Sequence, residues 1–143
     1  MTTKEFIDII NNYTPFDIKD HRTDSNYLYE LTDKLNADKD EVQAIEPIFR
    51  LIEKYPTNDF GSPGPLVHFI ERFIGQYEQK LLESLDRKPT QLTVWMLNRV
   101  INGAKSKTMR LTLIQRLEGI IQNPNADNET RNEALDFLKF QKK

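Results

Sequence analysis

The chain has 143 residues, with 20 Lys plus Arg against 22 Asp plus Glu, a formal net charge of -2, and no cysteine. That is one domain's worth of chain, and the missing cysteine excludes a disulfide framework, a thiolate metal site and a cysteine nucleophile. Charged residues at 29% and hydrophobic residues at 38% suit a water-soluble globular protein, and the near-neutral balance argues against a dedicated nucleic-acid binder, whose usual footprint is a basic domain.

Apolar residues recur at helical spacing, no strand alternation stands out and only 5 glycines are present, so the pattern predicts an all-α fold of about seven helices. Thr2 and Glu5 have capping-box spacing ahead of Phe6, Ile7, Ile9 and Ile10, which predicts a first helix ending near Asn11 and Asn12. Tyr13 to Asp24, with Pro15, reads as a loop, and Ser25 is placed to cap a second helix through Leu28, Leu31 and Leu35. Asp38 and Glu41 repeat the capping-box spacing before Val42, Ile45, Ile48, Phe49 and Ile52. Pro47 lies inside that run, so it must either kink the helix or begin a new one at its first turn.

Residues 55 to 65 (YPTNDFGSPGP) hold three of the 7 prolines and two of the 5 glycines and form the strongest break in the chain. Beyond it, Pro63 or Pro65 opens a predicted long helix running to about Leu85. Leu66, Phe69, Ile70, Phe73, Ile74, Tyr77 and Leu81 share one face of it, and His68, Glu71, Arg72, Gly75 and Gln79 the other. A fifth helix follows Pro89 and is apolar nearly all round, as a central buried helix would be; its Trp95 serves as a core filler or as an exposed interface anchor. A sixth, capped by Ser106, stops at Asn123 and Pro124, and the last follows Asp127 with Ala134, Leu135, Phe137 and Leu138.

Short connections between such helices predict antiparallel helical hairpins, arranged as a short HEAT-like α-solenoid or as an irregular bundle. The expected organisation is a single all-helical domain, 1–143: an acidic helical part at 1–57, the loop at 55–65 and a hairpin stack at 63–143. Charge divides unevenly along it. Residues 1 to 60 hold 7 Lys plus Arg against 13 Asp plus Glu, net -6, while residues 61 to 143 hold 13 against 9, net +4. Asp17, Asp20, Asp24, Asp33, Asp38, Asp40, Glu41 and Asp59 would furnish an acidic face. The alternative is a set of solvated loop and first-turn carboxylates, which helix N-termini favour in any case.

Catalytic chemistry is hard to place. His21 stands between Asp20 and Asp24 but lacks the spacing of a metal site, and the chain has no second histidine four residues from either of its two. GSPG at 61 to 64 lacks the lysine of a P-loop, and Pro63 and Pro65 each remove an N–H donor, so it reads as a structural turn before an anion cradle. His68, Glu71 and Arg72 share a helical face, as an exposed trio or as part of a recognition surface. An acid–base enzyme built on His68 and Glu71 has no nucleophile or cofactor motif to support it. Lys105, Lys107, Arg110 and Arg116 are basic but have no interleaved aromatics, and read as solvated surface or as a complement to the acidic half. No catalytic residue, cofactor or metal ligand is therefore assigned. The opening MTTKEFIDII lacks the apolar run of a signal peptide and no segment is long enough to span a bilayer, which leaves cytoplasm as the expected location by exclusion.

The stretch NDFGSPGPLVHFIE, residues 58 to 71, following IFRLIEKYP and preceding a helix, resembles a segment of small helical bacterial proteins that look like immunity proteins of polymorphic toxin or contact-dependent inhibition systems. Asp59, Phe60, Gly61, Pro63, Gly64, Pro65, Leu66, Val67, His68 and Glu71 carry the resemblance, which covers residues 45 to 143. It implies an inhibitor that binds and occludes a cognate toxin domain, with no catalytic constellation and no nucleic-acid or membrane partner of its own. An acidic face suits a basic, nucleic-acid-cleaving toxin, so Asp17, Asp20, Asp24, Asp38, Asp40 and Asp59, with His68 and Glu71, are the expected partner contacts. The competing reading is a HEAT-like scaffold or adaptor with no inhibitory role.

Overall fold

The computed structural model describes residues 1–15 and 25–142, and within them the chain forms eight α-helices and no strand. The helices are α1 (Thr3–Asn11), α2 (Ser25–Asp33), α3 (Ile45–Lys54), α4 (Pro65–Glu71), α5 (Glu78–Arg87), α6 (Gln91–Asn102), α7 (Lys107–Ile121) and α8 (Asn128–Gln141). They fall into two compact units, Met1–Lys80 and Leu81–Lys143, with the boundary inside α5. Residues 55–65 thus lie within the first unit.

In the first unit, Thr2 caps α1 as its spacing predicts, the Thr2 hydroxyl accepting from the Glu5 N–H at 3.1 Å, and α1 ends at Asn11. Phe6 and Ile10 are buried against the α3 region. The Asp38–Glu41 pair behaves differently. Asp38 accepts from the Asp40 N–H at 2.8 Å in a local turn, and a 3₁₀ segment, Glu41–Ala44, precedes α3. Pro47 then sits in the first turn of α3, where its missing N–H has no helical acceptor to lose. Ile45, Ile48, Phe49 and Ile52 are all at most 1% exposed, each such side chain contributing ~1.5–3 kcal/mol by its removal from water. In α2, Leu28 and Leu31 are buried and the helix packs on α4.

The 55–65 segment is a fixed turn. Gly61 and Gly64 have φ of +112° and +86°, and a Cβ on Gly64 would run into the Phe60 carbonyl oxygen, so glycine is required there on two counts. The Asp59 carboxylate accepts the Gly61 N–H at 2.8 Å, Phe60 is 2% exposed, and Pro65 takes the first position of α4. The long helix predicted from Pro65 to Leu85 is two helices. After Glu71 the chain tightens through Phe73, Gly75 turns left-handed at φ +91°, and its N–H donates to both Glu78 carboxylate oxygens at 2.9 and 3.0 Å, opening α5. The break takes Ile74, predicted on the apolar face, into solvent at 81% exposure, while Leu66, Phe69, Ile70, Tyr77 and Leu81 are buried as the pattern predicts.

The second unit follows its sequence signals closely. Thr90, Ser106 and Asp127 each accept the N–H three residues on and cap α6, α7 and α8. Thr90 and Thr93 do so reciprocally, Thr93 Oγ1 accepting from the Thr90 N–H at 3.0 Å. Helices α6, α7 and α8 pack on one another, with Val94, Met96, Leu97, Ile101, Leu113, Ile114, Leu117, Ile120 and Ala134 in the core. Trp95 is only half-buried, with the Arg99 guanidinium 4.9 Å from its ring centre, so it is neither a core filler nor a bare anchor. A polar knot closes the unit. The Gln141 amide donates to Asn98 Oδ1 at 2.7 Å and Asn102 Oδ1 at 2.8 Å, while Arg110 donates to the Gln141 side-chain and backbone oxygens at 3.0 and 2.7 Å.

Candidate functional site

The charge asymmetry coincides with the division into units. Residues 1 to 80 hold 9 Lys plus Arg against 15 Asp plus Glu, net -6, and residues 81 to 143 hold 11 against 7, net +4. Two clefts open on the acidic unit. The larger, about 450 Å³, is lined by Thr2, Thr3, Lys4 and Ile7 of the α1 region and by Asp38, Asp40 and Gln43. The smaller, about 180 Å³, lies where α2 packs on α4, with Tyr29, Thr32 and Asp33 on one wall and Pro65, His68, Phe69 and Arg72 on the other. The spacing i, i+3, i+4 on α2 and i, i+3, i+4, i+7 around α4 aligns each wall along one helical face.

Of the residues expected to meet a partner, Asp38 and Asp40 come together in the larger cleft. Asp38 is engaged there, accepting from the Asp40 N–H and, at 3.4 Å, from the Thr3 hydroxyl. His68 is exposed and lines the smaller cleft. Asp59 is exposed in the glycine turn, where its carboxylate shapes the loop. Glu71 is half-buried on the last residue of α4 and lines neither cleft. Asp17, Asp20 and Asp24, with His21, lie outside the described residues.

Glu41 is a correction to the acidic face. Its side chain is 8% exposed and is paired at 3.3 Å with Arg72, whose guanidinium also lies 5.4 Å from the centre of the Phe69 ring and 5.6 Å from that of Phe73. A carboxylate buried this far needs its counter-ion, so Glu41 fastens the start of α3 to the end of α4 and presents no charge to solvent. Arg72 accordingly pairs across the fold. In the second unit two of the four basic residues of the predicted cluster are likewise spent internally, Arg116 on Asp86 at 2.9 Å and Arg110 on Gln141. Asp86 is not part of the acidic half, so this pairing is local to the second unit.

Tyr29 is a site residue that the sequence reading did not single out, and the helical spacing of Tyr29, Thr32 and Asp33 on the polar side of α2 was the signal available for it; Arg72 is the member of the His68, Glu71 and Arg72 face that joins His68 in the smaller cleft. Among the described residues, no group of three His, Asp or Glu is placed to hold a metal, and no helix is long and apolar enough to cross a membrane. Compared with models of known protein families, with curated proteins and with solved structures, the chain matches none.

Proposed function

We propose that the chain is an immunity protein, a non-catalytic inhibitor that binds a cognate bacterial toxin domain through its acidic unit and occludes it. The observation that carries this reading is the confinement of net negative charge to residues 1 to 80, a unit on which two clefts open. A field of that sign accelerates encounter with a basic, nucleic-acid-cleaving partner and disfavours nucleic acid itself. Asp17, Asp20, Asp24, Asp38, Asp40 and Asp59, together with His68 and Glu71, are the contacts assigned on this reading. The second unit, in which α6, α7 and α8 pack on one another, acts as a hairpin-built support of HEAT-like kind. The working place of such an inhibitor is the cytoplasm, where it protects the cell that makes it.

The test is co-expression with the C-terminal region of the protein encoded by the adjacent upstream gene. Restored growth together with co-purification establishes inhibition, and failure of both removes it. Mutual packing of three helices also favours the second reading, a scaffold that binds a cellular protein without inhibiting it; co-purification without rescue would select it.

A further inference from the structure

In the small cleft between α2 and α4, one full charge has no answering group among the described residues. Asp33 is exposed on its α2 wall and makes no hydrogen bond or ion pair among the described residues. Across from it, Arg72 is already compensated by Glu41 at 3.3 Å and lies against the rings of Phe69 and Phe73. The group left without a counter-ion in the cleft is therefore the Asp33 carboxylate, within a unit of net -6. Beside Asp33 stands Tyr29, 42% exposed, which offers an aromatic face and a hydroxyl. A volume of about 180 Å³ is below the roughly 300 Å³ at which small-molecule sites begin, and it suits a single inserted side chain.

We propose that this cleft is an anchor site for one arginine side chain of a partner protein, with Asp33 receiving the guanidinium and Tyr29 stacking on it. Arginine fits better than lysine because its planar fork matches a carboxylate bidentately and lies flat on an aromatic ring. Arg72, held by Glu41, and His68 line the opposite wall. Tyrosine and arginine are also the side chains around which interface energy concentrates. This deepens the immunity reading and rests on it, since that reading supplies the basic partner.

The experiment titrates N-acetyl-arginine amide, and separately N-acetyl-glutamate amide, into the ¹⁵N-labelled full-length chain and follows amide resonances. The expected result is a saturable shift of Tyr29, Asp33 and His68 with the arginine probe, weakened at least tenfold by Asp33→Asn and unchanged by Asp8→Asn on the exposed side of α1. Absence of saturation, equal binding by Asp33→Asn, or preference for the glutamate probe overturns the proposal. Co-expression separates it from the reading beneath it. If the wild-type chain rescues growth and Asp33→Lys rescues equally well, the anchor site falls and the immunity function stands. If arginine binding is lost in Asp33→Asn but the wild type gives no rescue, the cation site stands and the immunity function falls.

Discussion

The two units of this protein are built by different means. Residues 1 to 80 rely on an aromatic and aliphatic core, with Phe6 and Phe69 rings 5.7 Å apart, and on a glycine turn that tolerates no side chain; neither α3 nor α4 has a side-chain cap. Residues 81 to 143 rely on three capped helices and a buried amide network around Gln141. Hydrogen-bonded caps and networks fix geometry residue by residue, whereas a core of packed rings fixes mainly which faces turn inward. Two clefts open on the first of these units.

The contrast can be broken by substitution. Gly64→Ala should have the largest effect, about 3 kcal/mol of stability, because it combines a left-handed φ with collision against the Phe60 carbonyl. Urea unfolding measures the loss, and hydrogen exchange should register it first in amides of residues 1 to 80. A loss under ~1 kcal/mol would mean that the turn relaxes and is not a fixture at all. Next comes Gln141→Leu, which leaves the Asn98 and Asn102 oxygens and an Arg110 donor without their partner and should cost about 2 kcal/mol. Its exchange signature should appear first in α6, α7 and α8, and a neutral outcome would remove the network from the comparison.

The smallest expected effect is that of Asp127→Ala, about 1 kcal/mol from loss of the α8 cap. Partial burial pushes the Asp127 carboxyl up, but hydrogen bonds from Thr130, with Lys88 and Arg131 nearby, outweigh it and hold the group below the ordinary aspartate value. A depressed carboxyl stabilises the fold above the unfolded value and loses that contribution as pH falls through its folded value. The wild type should thus lose more stability than the variant on acidification below about pH 4. Parallel pH curves for the two would rule out the cap as the source.

Legibility in the sequence divides along the same line. In the second unit, Pro89, Ser106, Asn123–Pro124 and Asp127 are local signals, and the helices begin and end where they indicate. The first unit was legible at Thr2 and at the GSPG turn but not at Arg72 to Tyr77. There the apolar period ran on through Ile74, while Gly75 and the Glu78 carboxylate broke the backbone. The partner of Glu41 is 31 residues away in Arg72, and that of Gln141 is 43 residues away in Asn98, separations that no periodicity encodes. For the site, charge composition pointed to the acidic unit, yet it counted Glu41 as surface and passed over Tyr29, because net charge does not say which way a side chain faces.

The pairing of Glu41 with Arg72 has a consequence for how the molecule can evolve. Tyr29 and Asp33 are exposed on α2, whose core contribution comes from Leu28 and Leu31, so the α2 wall of the small cleft can be rewritten with little disturbance of the interior. Arg72 has no such freedom, because it lines the cleft and neutralises a buried carboxylate at once. Across a lineage, positions 29 and 33 should therefore drift with whatever binds there. Positions 41 and 72 should change only together, as an acid–base couple or as two apolar residues.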